Sequence, residues 1–525
     1  MKPSSAFKAV FLVPLQRIPG RVAGRPVFSS MNAMARVLAV AVLLGTCVAT
    51  RSQTPGAGDA GWEVLDQRPN PTWFDEAKIG IFIHWSVFSV PAVAWVYPDK
   101  PYGYGGHSCW YAMYVDHIRP LKNPEEQARF EAFHRANYGD VPFKALAPLF
   151  KAEAFDARQW AALFKRAGAR YAFLTSNFHD GYCLWPSPWN RGWNCMDVGP
   201  KRDLLGEFST ALRDAGLRAG FYYSIGEFNH PLYQAAKKPG GDVKPFVREH
   251  FQPQLREAVQ RYRPSFIYFD GEWEFPLDTF GMRDFLGWLY RESPCKDDVV
   301  VNDRFGRGSR GNHGGVYSSE AGVLESGTAH KWCEDRPISR GNWSYNRLER
   351  LEDYLSERDL IHLLVETVAQ GGNLHLDVSP CADGTIPMLQ QERLTQMGDW
   401  LRINGEAIYG TKPWAVSHEG PMVQSINPRL DKHWKWTETK ERPLVHYTRN
   451  GDTVYAICLA WPGKTLRLEL PVTTPRTEVR LLGHPLPLTW HAASHGMVIE
   501  VPLVSPMELP CRNAWAFKLT GLKAP

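Results

Sequence analysis

Residues 265–273 read SFIYFDGEW. Four apolar or aromatic residues run into an aspartate, and a glycine follows. A short unbroken apolar run suits a strand buried on both faces, as in a parallel sheet. In a (β/α)-barrel the chemistry gathers where such strands end. Five further runs have the same character: KIGIFIHW (78–85), YAFLTS (171–176), LRAGFYYS (217–224), DVVVND (298–303) and NLHLDVS (373–379). Helical periodicity lies between them in DARQWAALFKRAG (156–168), LLGEFSTALRDAG (204–216) and VREHFQPQLREAVQRY (247–262), the first two stopping at a glycine. Repeated strand–helix units over residues 62–412 predict an α/β fold, a (β/α)8-like TIM barrel. Six clear strands instead of eight predict an irregular one.

The texture changes near residue 413. TVYAICLAW (453–461), TLRLELPV (465–472), EVRLLG (478–483), MVIEVP (497–502) and AWAFKLTG (514–521) are short strand candidates without helices between them. Residues 413–525 are therefore expected to form a C-terminal β-sandwich. Stretches 92–108 and 418–445 read as loop-rich, and there is no internal repeat.

Residues 1–53 read as a targeting segment. MARVLAVAVLLGTCVATRSQ (34–53) has a basic start, an apolar run and small residues, with cleavage expected near Ala49 and Met31 or Met34 as the start. The run is short for a membrane span. The expected location is outside the cytoplasm: periplasmic or secreted, or lysosomal in a eukaryote. The remaining eight cysteines show no CxxC spacing, which argues against a zinc site. Asn342-Trp343-Ser344 is the only N-glycosylation sequon. A net charge of +5 over 525 residues, without a Lys/Arg block, gives no sign of a nucleic-acid partner. Hydrophobic residues at 44% supply ample core and argue against disorder. Nothing in the composition fixes an oligomeric state, and a homo-oligomer stays open.

Reading the strand ends in turn gives His84, His179 (in NFHDG, 177–181), Tyr222, Asp270 and Asn302-Asp303-Arg304. Five strands delivering polar groups to one rim make a binding or catalytic constellation. Asp270 is the nucleophile candidate, because Gly271 leaves a substrate room to approach; a helix-capping Asp is the structural alternative. Trp85, Trp110 and Trp273 stand beside these groups and could wall a sugar site. A glycosidase needs a second carboxyl group across the scissile bond, and HKWCEDRP (330–337) offers Glu334. His84, His179 and Asp270 also compose a formal two-His, one-carboxylate metal set. No short-range HxH or HxxxH pair accompanies them, so neither metal nor cofactor is expected.

At these residues the chain resembles the α-L-fucosidases of glycoside hydrolase family 29. The resemblance is carried by WFDEAKIGIFIHWSVFSVPA (73–92), FLTSNFHDGYCLWPSPWNRGWNCMDVGPKRDLLGEF (173–208), YFDGEW (268–273), VVNDRFG (300–306), GGNLHLDVSPCADGTIP (371–387) and NGEAIYGTKPW (404–414), in the family's order. It implies a (β/α)-barrel with a C-terminal β-sandwich, a retaining mechanism without metal, and a fucosylated glycan as substrate. Asp270 would form the covalent fucosyl-enzyme. His84, His179, Tyr222, Trp273 and Arg304 would hold the sugar and brace the nucleophile.

The departures from that pattern concern the acid. Phe178 stands where the family has a sugar-binding His, and Cys109, before Trp110, where it has Glu. Cys333 occupies the usual acid/base position, judged by its spacing to WSY (343–345), and Ser86 replaces a glycine. Cys109 and Cys333 would then lie close together, with a disulfide between them as one hypothesis, and Glu334 would act only by a local shift of register. Two functions compete: a retaining α-L-fucosidase or a hydrolase of a related L-sugar, and a carbohydrate-binding or regulatory relative that has lost turnover.

Overall fold

A computed structural model of the chain describes residues 61–97, 103–322, 330–339, 341–430 and 436–523. The expected targeting segment lies outside the described residues.

Eight parallel strands form the central sheet: β1 (Ile79–Ile83), β2 (Tyr171–Asn177), β3 (Arg218–Ser224), β4 (Phe266–Asp270), β5 (Val300–Val301), β6 (Tyr317–Glu320), β7 (Trp332–Pro337) and β8 (Asn373–Val378). They pair in the order β5-β4-β3-β2-β1-β8-β7-β6, and a parallel bridge between Asn302 and Val316 joins the two ends. The eightfold barrel is therefore complete. The expectation of six strands missed β6 and β7, whose sequences YSSE and WCEDRP are polar. Their polarity has a structural cause. On β7 alternate residues face opposite sides: Cys333 and Asp335 turn into the barrel, whereas Glu334 and Arg336 turn outward and pair with each other.

Aromatic rings fill the barrel. Phe82 lies 4.4 Å from Phe173 and 5.1 Å from Tyr268 between ring centroids, and Phe173 lies 5.0 Å from His375. Gly80 is there for space: a Cβ on it would come within 2.4 Å of the Tyr171 ring. Beneath the rim a polar network crosses this core. Asp335 accepts from Tyr268 Oη (2.8 Å) and from Cys333 Sγ (3.4 Å), and it bonds His375 Nδ1 (2.7 Å). His375 Nε2 reaches Tyr171 Oη at 2.6 Å. Cys333, Asp335 and His375 bring ligand atoms close enough to hold a cation, but those atoms already bond one another.

The expected helices are present. Ala157–Arg166 is capped by Asp156, and Leu204–Asp214 by Asp203. Gly168 and Gly216 follow them at φ +88° and +78°, a conformation that suits glycine. The third begins as a π-helical turn, Val247–Phe251, and continues as Gln252–Tyr262.

C-terminal to the barrel are a five-stranded antiparallel sheet (Lys412–Leu430, Trp436–Asn450, Thr453–Cys458, Trp515–Thr520, Glu478–Leu481) and a three-stranded one (Thr465–Leu468, Met497–Glu500, Trp490–Ala492). Val445, Tyr447, Leu466, Ile499 and Phe517 are buried in their common core. Of the stretch 418–445, expected to be loop-rich, residues 418–430 and 436–445 lie in the first two of these strands, which pair antiparallel. Its Val416–Gln424 portion is largely exposed, so it lacks the apolar alternation that would mark a strand. Likewise 92–108 contains the short paired strands Trp95–Tyr97 and Gly103–Gly105.

Candidate active site

A cavity of about 650 Å³ opens at the C-terminal rim of the barrel, with Asp270 at its base. β4 carries this aspartate out of an apolar run, and Gly271 after it adopts φ +100°, which turns the chain away. Asn302 holds β4 and β5 together here, bonding the backbone N–H and C=O of Phe269 at 2.8 and 2.9 Å. Asp303 accepts from the backbone N–H groups of Gly311 and Ser318, which fixes the following loop. Asn302 and Asp303 thus build the frame, and Arg304 enters the site.

Asp270 Oδ1 pairs with Arg304 Nη2 at 2.7 Å. Its Oδ2 accepts from Tyr222 Oη at 2.8 Å and faces His179 Nε2 at 3.5 Å. Burial works to raise the pKa of Asp270. Arg304, His179 and Tyr222 outweigh it and hold the carboxyl well below the usual range, so the group is ionised. His179 Nδ1 in turn contacts Ser224 Oγ at 2.7 Å, which orients the ring.

Arg304 connects three carboxylates. Besides Asp270 it pairs through Nε with Glu272 (3.2 Å) and through Nη1 with Glu320 (3.0 Å). Nη1 also donates to Tyr268 Oη at 3.2 Å, which links the rim to the Asp335 network below. Glu320 ends β6 and lines the cavity with Glu272. Burial raises its pKa, Arg304 and Arg310 oppose this, and Asp270 and Glu272 reinforce it; the net shift is upward. Two carboxyl groups on one guanidinium therefore carry opposite tendencies, one held ionised and one drawn toward its protonated form.

His84 lines the opposite wall, with Nδ1 bonded to Asp377 at 2.8 Å. Burial lowers its pKa to about 3, with Asp270 pulling upward and His179 and His107 downward, so the imidazole is neutral. Phe178 and Trp343 flank His84, at 5.8 and 5.7 Å between ring centroids. Trp110 and Trp273 lie nearly parallel, 6.2 Å apart, and make the outer aromatic wall.

The structure brings together Asp270, His84, Phe178, His179, Tyr222, Trp273, Arg304, Cys109 and Trp110. Four expectations are corrected. Trp85 turns away from the cavity, packs on Phe150, Phe155 and Trp160 and donates to Cys381 O, because its neighbour His84, just past the end of β1, occupies the inward face. Glu334 is buried on the outer face of β7, where it pairs with Arg336, and does not line the cavity. Cys333 lies in the polar network under the cavity, its pKa raised well above the ordinary value chiefly by burial. Cys109 lines the cavity, and neither thiol is in a disulfide.

Several lining residues were not legible beforehand: His107, Tyr268, Glu272, Arg310, Glu320 and Trp343. Glu320 belongs to the unrecognised strand β6. Glu272 stands in YFDGEW (268–273), two residues past Asp270, a spacing that returns a side chain to the same face. The sequon is internal, since Asn342 is 1% exposed.

The family model of α-L-fucosidases matches residues 46–406, and that of the α-L-fucosidase C-terminal domain matches residues 438–520. The tissue α-L-fucosidase of Homo sapiens is 40% identical over 503 residues, covering 95% of this chain and 99% of that protein. The plasma α-L-fucosidase of Rattus norvegicus is 39% identical, covering 90% and 96%. Among solved structures, a Thermotoga maritima α-fucosidase in complex with a mechanism-based inhibitor superimposes with a TM-score of 0.69 at 30% identity, covering 88% of this chain and 99% of that one. The same enzyme in complex with fucose gives a TM-score of 0.68 at 29% identity, again covering 88% and 99%. Matched by both family models and by relatives along nearly its whole length, this chain belongs to the α-L-fucosidase family.

Proposed function

We propose that this chain is a retaining α-L-fucosidase that removes terminal α-L-fucosyl groups from glycans, with the barrel over 62–412 as catalytic domain and the sandwich over 413–525 as a companion. The observation that carries this reading is the pair Asp270 and Glu320 on one guanidinium, the first ionised and the second with a raised pKa. Ionised Asp270 attacks the anomeric carbon and forms a glycosyl–enzyme ester. Glu320 donates its proton to the departing oxygen, then takes a proton from the water that cleaves the ester. Protonation of the departing oxygen in the first step and deprotonation of the attacking water in the second need one group cycling between two states, which suits a carboxyl with an elevated pKa.

Tyr222 and His179 brace the nucleophile. His84, held by Asp377, and His107, whose buried Nδ1 has no hydrogen-bond partner among the described residues, are assigned to sugar hydroxyls. Phe178 and Trp343 supply apolar surface suited to the methyl group of a 6-deoxy sugar. Cys333 and Glu334 are given no catalytic part: the thiol is one layer too deep and the carboxylate faces away. A binding protein that has lost turnover is disfavoured, because Glu320 supplies the second carboxyl that Cys333 lacks. Export is inferred from residues 34–53; among the described residues no helix is long and apolar enough to cross a membrane.

The test is hydrolysis of an aryl α-L-fucoside followed by proton NMR. Retention predicts α-fucose as the first product, before mutarotation. First formation of the β anomer, or no release at all, would overturn the mechanism.

A further inference from the structure

The base of the cavity and its mouth differ in charge. At the base, Arg304 and Arg310 face Asp270, Glu272 and Glu320, whose side chains are at most 16% exposed. Nearer the mouth, Arg119, with 45% of its side chain exposed, and Lys122, also exposed, line the same cavity. The nearby acid Glu274 is shared: Arg119 reaches it at 3.3 Å and Lys237 at 2.9 Å. Among the described residues no carboxylate comes within ion-pair distance of Lys122, so the mouth carries a surplus of positive charge. Arg119 is also held in place, its guanidinium carbon 5.1 Å from the ring centre of Trp110 and 5.9 Å from that of Trp273. These rings form the aromatic wall along which a leaving group would project from a fucosyl unit seated on Asp270.

We infer that the outer part of this cavity is a subsite for an anionic leaving group, a sulfate ester or a carboxylate borne on the residue next to fucose. The inference rests on the reading of Asp270 as the base of the fucosyl site. An aromatic wall with a stacked guanidinium presents an apolar face and a fixed cation to the same ligand. Lys122 adds an adaptable point charge beside it. A neutral aglycone would use the wall and leave both cations in water, whereas an anionic one uses both. Exposed charges attract weakly and are screened by salt, so the preference is expected to be modest and dependent on ionic strength.

Three matched glycosides test this: the α-L-fucosides of 4-hydroxybenzenesulfonate, 4-hydroxybenzoate and the neutral 4-hydroxybenzenesulfonamide. At low salt the wild type is expected to favour at least one anionic glycoside over the neutral one by roughly three- to tenfold in kcat/KM, the size of one or two exposed ion pairs. In about 0.5 M salt, and in Lys122→Ala combined with Arg119→Gln, the ratio should fall toward one. Preference for the sulfonate alone assigns a sulfate ester, and preference for the carboxylate alone assigns a uronate-type acid. A ratio at or below one at low salt, or a preference that survives both salt and the double substitution, overturns the inference. Calorimetric titration of the same glycosides into Asp270→Ala measures the ratio without turnover. The subsite is thereby judged even if the catalytic reading fails, and turnover of the neutral glycoside judges that reading separately.

Discussion

Replacing Glu320 by Gln removes one proton from the chemistry and almost nothing from the structure. The amide keeps an oxygen for Arg304 Nη1, now 3.0 Å from the carboxylate, and Arg304 retains Asp270 and Glu272. The ion pair becomes a weaker hydrogen bond from the charged guanidinium to a neutral amide oxygen, so a stability loss of ~1 kcal/mol is expected. The kinetic effect is much larger. General acid catalysis contributes roughly 10²–10⁴-fold. The Glu320 side chain is only 16% exposed, which leaves little room for water to substitute, so the upper half of that range applies, about 4–5.5 kcal/mol of barrier. The assay compares kcat/KM for a fucosyl disaccharide, whose alkoxide leaves poorly, with that for a 4-nitrophenyl fucoside. Glu320→Gln should lose about 10³–10⁴-fold on the disaccharide and far less on the aryl substrate, which then becomes limited by hydrolysis of the ester. Added azide should restore that second step and give fucosyl azide of retained configuration. If Glu320→Gln keeps disaccharide activity within about threefold while Glu272→Gln abolishes it, the acid is Glu272 and the assignment to Glu320 is wrong.

Glu334→Gln should behave in the opposite way: kcat changes less than about twofold, whereas the melting temperature falls as the buried pair with Arg336 weakens by ~1–3 kcal/mol. Equal losses of activity in Glu334→Gln and Glu320→Gln, measured on the same disaccharide, would contradict the outward orientation of Glu334. Arg304→Met leaves Asp270, Glu272 and Glu320 with less compensating charge and should cost about 3–5 kcal/mol in chemical denaturation, with activity lost as well. Because the positive charge of Arg310 lowers the pKa of Glu320, Arg310→Gln should raise it and move the alkaline limb of kcat/KM to higher pH; a limb that moves down or stays fixed means that another group titrates. Treating the native protein with a reducing agent should leave activity unchanged, since Cys109 and Cys333 are not joined; inactivation that follows loss of a disulfide would refute this.

The sequence by itself determined the barrel, the C-terminal sheets and most of the base of the site. Apolar runs such as FIYF have a single role in a doubly covered parallel sheet, and the residue ending each run must emerge at the rim. Asp270, Tyr222, His84 and Arg304 were legible for that reason alone. It did not determine the second carboxyl group. Hydrophobicity identifies a strand only when its environment is apolar, and β6 and β7 are not in one: Asp335 and Cys333 join a hydrogen-bonded network inside the barrel, and Glu334 compensates Arg336 outside it. With β6 unseen, Glu320 had no position, and the neighbouring KWCEDR drew attention to Glu334. A period of two in a strand sends adjacent residues to opposite faces, so one step along β7 separates a group beneath the site from one behind the sheet. Trp85 and His84 were divided by the same rule on passing out of β1. Which carboxylates share Arg304 is a matter of where the ends of β4, β5 and β6 meet, and only the closed barrel, with β6 laid beside β5, decides it.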